Sequence, residues 1–574
     1  MPFHGKGLAP ATAARHGEPR AIGEKPDWKG ALDRARKHAP FLANALERRP
    51  DIATLLAEGR AEHALAAAPI EADDVGVALR RERLGLALAL AVGDLAGAFP
   101  LQRVTRELSA FADRALDAAI AAAIRRRAPD AEPQGFTALA LGKHGAQELN
   151  YSSDIDPILL YDPARLPLRE RDDPGEAAQR YARGIVELLS EQTGEGYVFR
   201  VDLRLRPASE VSPLALSFNA ALSHYESSAL AWERAAYIRA RSAAGDIAAG
   251  EDFLATIAPF VWRRSLDFTA IEEIRRLTAR IRETHRGPPE PGPGFNLKQG
   301  RGGIREIEFF AQTHQLIHGG RRPALQVRGT REALDALAAE GIILPDDAVL
   351  LGESYDRLRT VEHRLQMVND RQTHSLPSDA EALDNVARLD GFENGAALVE
   401  HLRAITREVA LRYDALLGGT EDRARPAPAA DAVALPLIDE RLERWRDTLR
   451  TLRSPEARAA FAALRPILRD ALAAAPEPER ALARLETVLE RVPTAINLFR
   501  LFEARPGLLD LVLRVVTLAK SLADELGRNP ELLDALIDAS ALDLPGPVEA
   551  VAARMRASGG DDYEERLDAI RRVV

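Results

Sequence analysis

The chain has 574 residues, of which 46% are hydrophobic and 29% charged. These proportions exclude a fibrous repeat and a disordered chain, and at roughly 150 residues per domain the length predicts three or four domains. The chain has no cysteine, which excludes disulfides, thiol nucleophiles and cysteine-ligated zinc. A net charge of −10 and only 5% aromatic residues make nucleic acid an unfavourable partner.

No apolar stretch approaches the roughly 18 residues that a membrane span needs, and the first residues lack the apolar core of a secretory signal. The sequence therefore predicts a cytoplasmic protein without a membrane-spanning segment. Residues 1–28 are rich in Gly, Pro and Ala without periodicity and predict a flexible tail. Residues 29–129 carry apolar side chains at helical spacing, as at Leu84, Leu88 and Val92, and predict a helical lead-in.

Residues 130–285 have mixed patterning and predict the catalytic core. TALALG and DIDPILLYD have the length and composition of strands, whereas Tyr181, Ile185 and Leu189 lie on one face of a helix. In GYVFRVDLRLRP, at 196–207, apolar and charged residues alternate. We expect a third strand there, with Asp202 among arginines on its polar face.

Two breaks rich in Pro and Gly follow, at 286–294 and 418–436. They predict a helical domain at 295–417, a linker at 418–436 and a further helical region at 437–574, where Ser454 and Pro455 read as a helix start. The chain stops within a helical pattern, so we expect it to be cut short. The predicted fold class is α+β and mainly helical, with a small mixed sheet embedded in helices and helical bundle domains after it.

The most informative segment is GKHGAQELNYSSDIDPILLYD, at 142–162. On a strand, Asp154 and Asp156 would leave the same face, where two ionised carboxylates repel by about 3 kcal/mol and attract a divalent cation. Mg²⁺ suits such an oxygen site, and Mn²⁺ is an alternative. A third carboxylate from Asp202 would complete a two-metal site for in-line displacement at phosphorus, beside phosphate-binding arginines. The arginine candidates are Arg204 and Arg206.

The segment before these carboxylates can bind phosphate. Its glycines would let backbone N–H groups approach a phosphate chain, while its lysine and serines would add donors. The candidates are Gly142, Lys143, Gly145, Ser152 and Ser153. The spacing is not that of a P-loop, but a Gly-containing loop leading to an Asp-x-Asp strand resembles polymerase-β-type nucleotidyltransferases.

The amino-acid sequences of several motifs indicate a more specific resemblance. GKHGAQELNYSSDIDPILLY, YVFRVDLRLRP, WERAAYIRAR, NLKQGRGGIREIEFFAQTHQLIHGG and EHRLQMVNDRQTHSLPSD together resemble the bacterial bifunctional glutamine synthetase adenylyltransferase/adenylyl-removing enzymes. The resemblance is to their N-terminal, adenylyl-removing half, followed by the central helical region.

This resemblance implies that phosphate attacks the AMP–tyrosine bond of adenylylated glutamine synthetase and releases ADP. It assigns metal binding to Asp154, Asp156 and Asp202, and phosphate binding to the loop from Gly142 to Ser153. ATP would be the substrate of the opposite reaction in the family's C-terminal half. A PII-type signal protein would be a regulatory partner, and glutamine a possible effector.

A Gly-rich stretch before IREIEFFAQ could present N–H groups to an anion at a helix start, and Lys298, Arg305 and Glu308 are further candidates there. Trp232 is interpreted as a packing residue, and His363 and His374 as structural or solvated histidines. Two other functions stay open: a nucleotidyltransferase that acts on RNA or a small molecule, and a catalytically silent helical scaffold.

Overall fold

The computed structural model describes residues 25–263, 287–416, 435–449, 455–473 and 478–491, together with the single residues 452, 499, 502, 509, 512 and 513. The chain forms two compact units, Met1–Leu417 and Gly418–Val574. Nearly all of the predicted N-terminal tail and of the predicted linker lies outside the described residues.

The first unit begins with helices whose apolar faces form one core. They are Trp28–His38, Pro40–Arg48, Pro50–Ala57, Ala61–Ala66, Val75–Leu95 and Leu101–Arg125. Asp74 starts the fifth of them by accepting a hydrogen bond from the backbone N–H of Val77 at 2.8 Å. Leu88, Leu90 and Val92 of this helix are fully buried, because helices surround it.

A four-stranded mixed sheet follows, and the apolar segments TALALG and DIDPILLYD predicted two of its strands. Its strands are β1 (Phe136–Leu141), β2 (Asp156–Tyr161), β3 (Ala215–Ser217) and β4 (Arg241–Gly245), in the order β3-β2-β1-β4. β1 is antiparallel to β2 and β4, and β2 is parallel to β3. Leu141 pairs with Asp156, so the chain leaving β1 passes next to the start of β2.

The alternating segment at 196–207 is not a strand, and that prediction was wrong. Only a single bridge, between Val201 and Ile155, joins it to the sheet. Asp202 accepts a hydrogen bond from the backbone N–H of Arg204 at 2.9 Å, a local bond that turns the chain away from the ladder. The parallel place beside β2 is taken by β3.

Helices enclose the sheet and continue to the end of the first unit. They are Gly142–Gly145, Pro174–Ser190, Phe218–Ser227, Ala231–Tyr237, Ile247–Val261, Ile304–His318, the 3-10 turn Pro323–Leu325, Thr330–Ala339, Pro345–Asn369, Ala380–Leu389 and Gly395–Leu416. The predicted Tyr181, Ile185 and Leu189 form a buried face. The described helices of the second unit are Leu435–Thr448, Pro455–Ala473 and Pro478–Arg491.

The mainly helical α+β class is thus confirmed. Among the described helices, we found none with both the length and the apolar character required to cross a bilayer.

Candidate active site

A cavity of about 910 Å³ opens at the junction of β1 and β2. Its walls come from the loop after β1, the segment after Val201 and the helices Ala231–Tyr237 and Ile304–His318. The lining residues are Gly142, Lys143, Ser153, Asp154, Asp156, Asp202, Arg204, Leu205, Trp232, Ala235, Ala236, Arg239, Lys298, Arg305, Glu308, Phe309, Gln312, Gln372 and His374.

The three predicted carboxylates lie in this one cavity. Asp156 is the first residue of β2, and the backbone N–H of Asp202 donates to the carbonyl of Ile155 at 2.9 Å. Burial, together with the charges of Asp202 and Asp154, raises the pKa of Asp156 to about 7. The loop that replaces the expected strand therefore still brings Asp202 to the Asp-x-Asp pair.

Two arginines partner the outer carboxylates. Arg200 donates to Asp154 at 2.9 Å, and Arg204 donates to both oxygens of Asp202. The hydrogen bond from Arg204 lowers the pKa of Asp202. Arg204 itself is 85% exposed, so little packing holds it in this position.

The donor set suits a divalent cation, since a cation would relieve the repulsion around Asp156. Across the part of the chain that the structure describes, no three histidine or acidic side chains are already arranged as a metal cluster. This agrees with the pairing of Asp154 with Arg200 and of Asp202 with Arg204, because each carboxylate is directed to its arginine. A metal ion would compete with Arg204 for Asp202 and with Arg200 for Asp154.

The predicted phosphate loop divides into residues that reach the cavity and residues that support it. Gly142, Lys143 and Ser153 line the cavity. Gly145 packs against the backbone, where an added Cβ would lie 2.1 Å from the carbonyl oxygen of Arg239. Ser152 is buried; its N–H donates to Gln366 at 2.9 Å and its hydroxyl to a backbone carbonyl.

Gly142 lies against the central carboxylate. Its φ of +56° is in the left-handed region, and a Cβ there would lie 2.6 Å from Oδ2 of Asp156. Glycine is therefore required both by the backbone conformation and by the close approach of Asp156.

Cations come from both sides of the cavity. Lys143 contacts the buried Glu362 at 3.1 Å, and burial lowers its pKa to about 8 despite that partner. Lys298 and Arg305 line the cavity from the later segment, joined by a 3.0 Å bond from the N–H of Arg305 to the carbonyl of Lys298. Arg206 is outside the lining; its guanidinium donates to backbone carbonyls of its own loop.

Several residues that line the cavity were not among the predicted site residues. Arg239 contacts Glu308 at 3.1 Å, and although burial opposes it, Arg239 lowers the pKa of Glu308 to about 2. His374, interpreted as structural or solvated, lines the cavity and contacts Glu362. Trp232, interpreted as packing, lines it as well. Their positions in the cavity depend on tertiary contacts that local patterning does not show, although Trp232, Arg239 and His374 all lie within motifs that carry the family resemblance.

Comparisons with known proteins match two parts of the chain to families. Residues 32–256 match the family of glutamate-ammonia ligase adenylyltransferase, and residues 273–417 match that of GlnD PII-uridylyltransferase. The cavity draws its lining from both matched regions.

Curated relatives extend the similarity over almost the whole chain. Bifunctional glutamine synthetase adenylyltransferase/adenylyl-removing enzymes are 38% identical in Caulobacter vibrioides, over 98% of this chain and 60% of the relative. The enzyme of Xanthobacter autotrophicus is 40% identical, over 90% of this chain and 55% of the relative. That of Bradyrhizobium diazoefficiens is also 40% identical, over 94% and 58%.

The chain thus spans somewhat more than half the length of these relatives. Over residues 32–256 it matches the glutamate-ammonia ligase adenylyltransferase family, and over 90–98% of its length it is similar to these bifunctional glutamine synthetase adenylyltransferase/adenylyl-removing enzymes, which are nucleotidyltransferases.

Proposed function

We propose that the chain removes AMP from an adenylylated tyrosine of glutamine synthetase by phosphorolysis and releases ADP. The observation that carries the proposal is the shared cavity, in which three carboxylates face Lys298 and Arg305. The relatives' names include both adenylyl transfer and adenylyl removal, and the resemblance of the motifs to the adenylyl-removing half favours removal.

The proposed roles follow from charge. Asp154, Asp156 and Asp202 would hold Mg²⁺ or Mn²⁺, which would neutralise phosphate oxygens during displacement. Lys298 and Arg305 would bind oxygens of the attacking phosphate and of AMP, because guanidinium and ammonium groups donate strongly to phosphate. Lys143, 12% exposed and paired with Glu362, would keep a positive charge beside the loop that approaches the nucleotide.

Regulation and location are part of the same proposal. A PII-type signal protein would bind the chain, which the match of residues 273–417 supports, and glutamine would act as an effector. We place the protein in the cytoplasm, with glutamine synthetase as its substrate. Adenylylation from ATP would be an activity of the longer relatives.

The test is to incubate the chain with adenylylated glutamine synthetase, Mg²⁺ and phosphate, and to measure ADP. The double variant D154N/D156N should lose at least about 100-fold in rate, because the site would lose two carboxylates that bind the cation. Asp335→Asn is the matched control, since Asp335 is exposed on another helix. Absence of ADP, or equal rates for all three proteins, would reject the proposal.

Both alternatives predict no ADP in this experiment, and two further measurements separate them. A nucleotidyltransferase for RNA or small molecules would leave adenylylated glutamine synthetase intact and transfer label from ATP to such an acceptor. A silent scaffold would form no product and would show no Mn²⁺-dependent thermal stabilisation with ADP.

A further inference from the structure

His374 and Glu362 form a histidine–carboxylate pair at the edge of the cavity. Nδ1 of His374 lies 2.5 Å from Oε1 of Glu362, and the imidazole is 21% exposed whereas Glu362 is fully buried. We propose that His374 is the proton donor to the departing tyrosine oxygen and that Glu362 is its positioning residue. This inference rests on the proposed function.

Glu362 is held from several sides. It accepts hydrogen bonds from Nδ2 of Asn150 at 2.6 Å and from Nζ of Lys143 at 3.1 Å, and it pairs with Arg359 at 3.2 Å. These contacts come from the loop after β1 and from Glu362's own helix. The carboxylate therefore has a fixed place relative to the cavity wall, and it fixes the imidazole in turn.

The backbone of His374 is held as well. Its carbonyl accepts a hydrogen bond from the N–H of Leu297 at 2.7 Å, and the next residue, Ser375, forms a bridge with Asn296. His374 is thus anchored to the segment that carries Lys298, a proposed phosphate ligand. A group held on this segment would keep its place when phosphate binds.

The pairing selects the reactive nitrogen. Burial raises the pKa of Glu362, but Lys143, the hydrogen bond from His374 and Arg359 outweigh burial and lower that pKa well below its ordinary range. An ionised carboxylate accepts the Nδ1 proton, so Nε2 is the nitrogen that can give or take a proton. Among the described contacts, Nε2 has no hydrogen-bond partner.

The proton balance of phosphorolysis requires such a group. An oxygen of HPO₄²⁻ forms a bond to the phosphorus of AMP, and the bond from that phosphorus to the tyrosine oxygen breaks. Nε2 gives its proton to the phenolate. The terminal phosphate of the new ADP then releases its remaining proton to Nε2, so HPO₄²⁻ and the AMP–tyrosine ester yield ADP³⁻ and neutral tyrosine.

Other protonated groups at the cavity are less suited to this transfer. Lys143 is only 12% exposed and is paired with Glu362, and Glu308 is ionised beside Arg239. A cation bound at the carboxylates would displace the proton of Asp156. The remaining described histidines do not line this cavity.

The test compares two substrates that differ in the acidity of the leaving phenol. Glutamine synthetase is prepared with tyrosine or with a ring-fluorinated tyrosine, whose more acidic phenol depends less on receiving a proton as it leaves, and each form is adenylylated. His374→Gln should lower kcat on the tyrosine form by about 100- to 10,000-fold, the usual contribution of general acid catalysis. On the fluorinated form we expect the fold loss in kcat to be at least ten times smaller than on the tyrosine form.

Glu362→Gln should show the same dependence on the leaving group with a smaller loss. His63→Gln, on an exposed helix face, is the control and should match the wild-type chain on both substrates. Thermal unfolding of H374Q checks that the fold is kept. If E362Q fails to fold, H374Q alone decides.

An equal loss for H374Q on both substrates, or no loss on either, would overturn the role of His374. If the wild-type chain itself forms no ADP from either substrate, the proposed function fails instead, so the two failures are distinguishable.

Discussion

Gly142 is the residue at which one added methyl group would meet the central carboxylate. Both Gly142 and Gly97 have a positive φ, of +56° and +76°, but a Cβ at Gly97 would meet nothing within 4 Å. Replacing either by alanine should cost about 1–2 kcal/mol of stability through the left-handed backbone. Only G142A should also displace Asp156.

We therefore predict that G142A lowers the free energy of unfolding at least as much as G97A, and that G142A alone loses most of the ADP-forming rate. Urea unfolding and the phosphorolysis assay measure the two quantities. Equal activity of both variants would contradict the contact between Gly142 and Asp156.

Asp156 gives a prediction about pH in the metal-free protein. Its folded pKa of about 7 is above the ordinary value of 3.8, so the folded state holds a proton that the unfolded state releases. Stability contributed at this site is therefore present below about pH 4 and is lost as the pH rises to about 7. The neutral amide that D156N introduces would not titrate.

D156N should consequently be more stable than the wild-type chain at pH 8 in a chelator, by at most a few kcal/mol. This difference in the free energy of unfolding should shrink as the pH falls towards 4. Urea unfolding at several pH values between 4 and 8 measures it. An advantage that does not change with pH would contradict the raised pKa.

The element that connects the cavity to the helical part of the first unit is the helix Pro345–Asn369. Its Arg359 is fully buried and donates to the carbonyl of Glu148 at 2.6 Å and to Asn150. A buried ion that loses its partner is strongly destabilising. Removing the guanidinium would leave Glu362 with one cation fewer.

R359M should therefore lower the free energy of unfolding by about 3–5 kcal/mol. Arg388→Met is the control, because Arg388 is 53% exposed and pairs with Asp384 on a helix surface, a contact worth at most about 0.5 kcal/mol. Chemical denaturation would measure both. A loss below about 1 kcal/mol for R359M would mean that the buried network adds little to stability.

The sequence allowed prediction of elements wherever local periodicity and burial agree. β1, β2 and the helix carrying Tyr181 followed from apolar spacing, since their side chains pack into the core. The strand at 196–207 failed because alternation cannot reveal that Asp202 bonds to its own backbone two residues later. Glu362 and His374 could not be placed in advance, because Glu362 contacts Lys143 and His374 contacts Leu297, residues far away in the chain.

At the scale of the whole molecule, the division after Leu417 leaves the entire cavity in the first unit. We predict that a chain ending at residue 417 folds cooperatively and forms ADP at a rate within about threefold of the full chain, since a compact unit with its own core can fold alone. Circular dichroism on heating and the phosphorolysis assay test this. A non-cooperative melt, or a much larger loss of rate, would contradict it.

Because two sequence regions line the same cavity, both regions are needed for activity and should evolve together. The carboxylates lie in the region 32–256, whereas Lys298 and Arg305 lie in 273–417. A break introduced between residues 263 and 287 would give two polypeptides, each with part of the pocket, so neither alone should turn over substrate. Recombination that replaced one region with that of a distant relative would pair mismatched walls, so natural selection should favour transmission of both regions together.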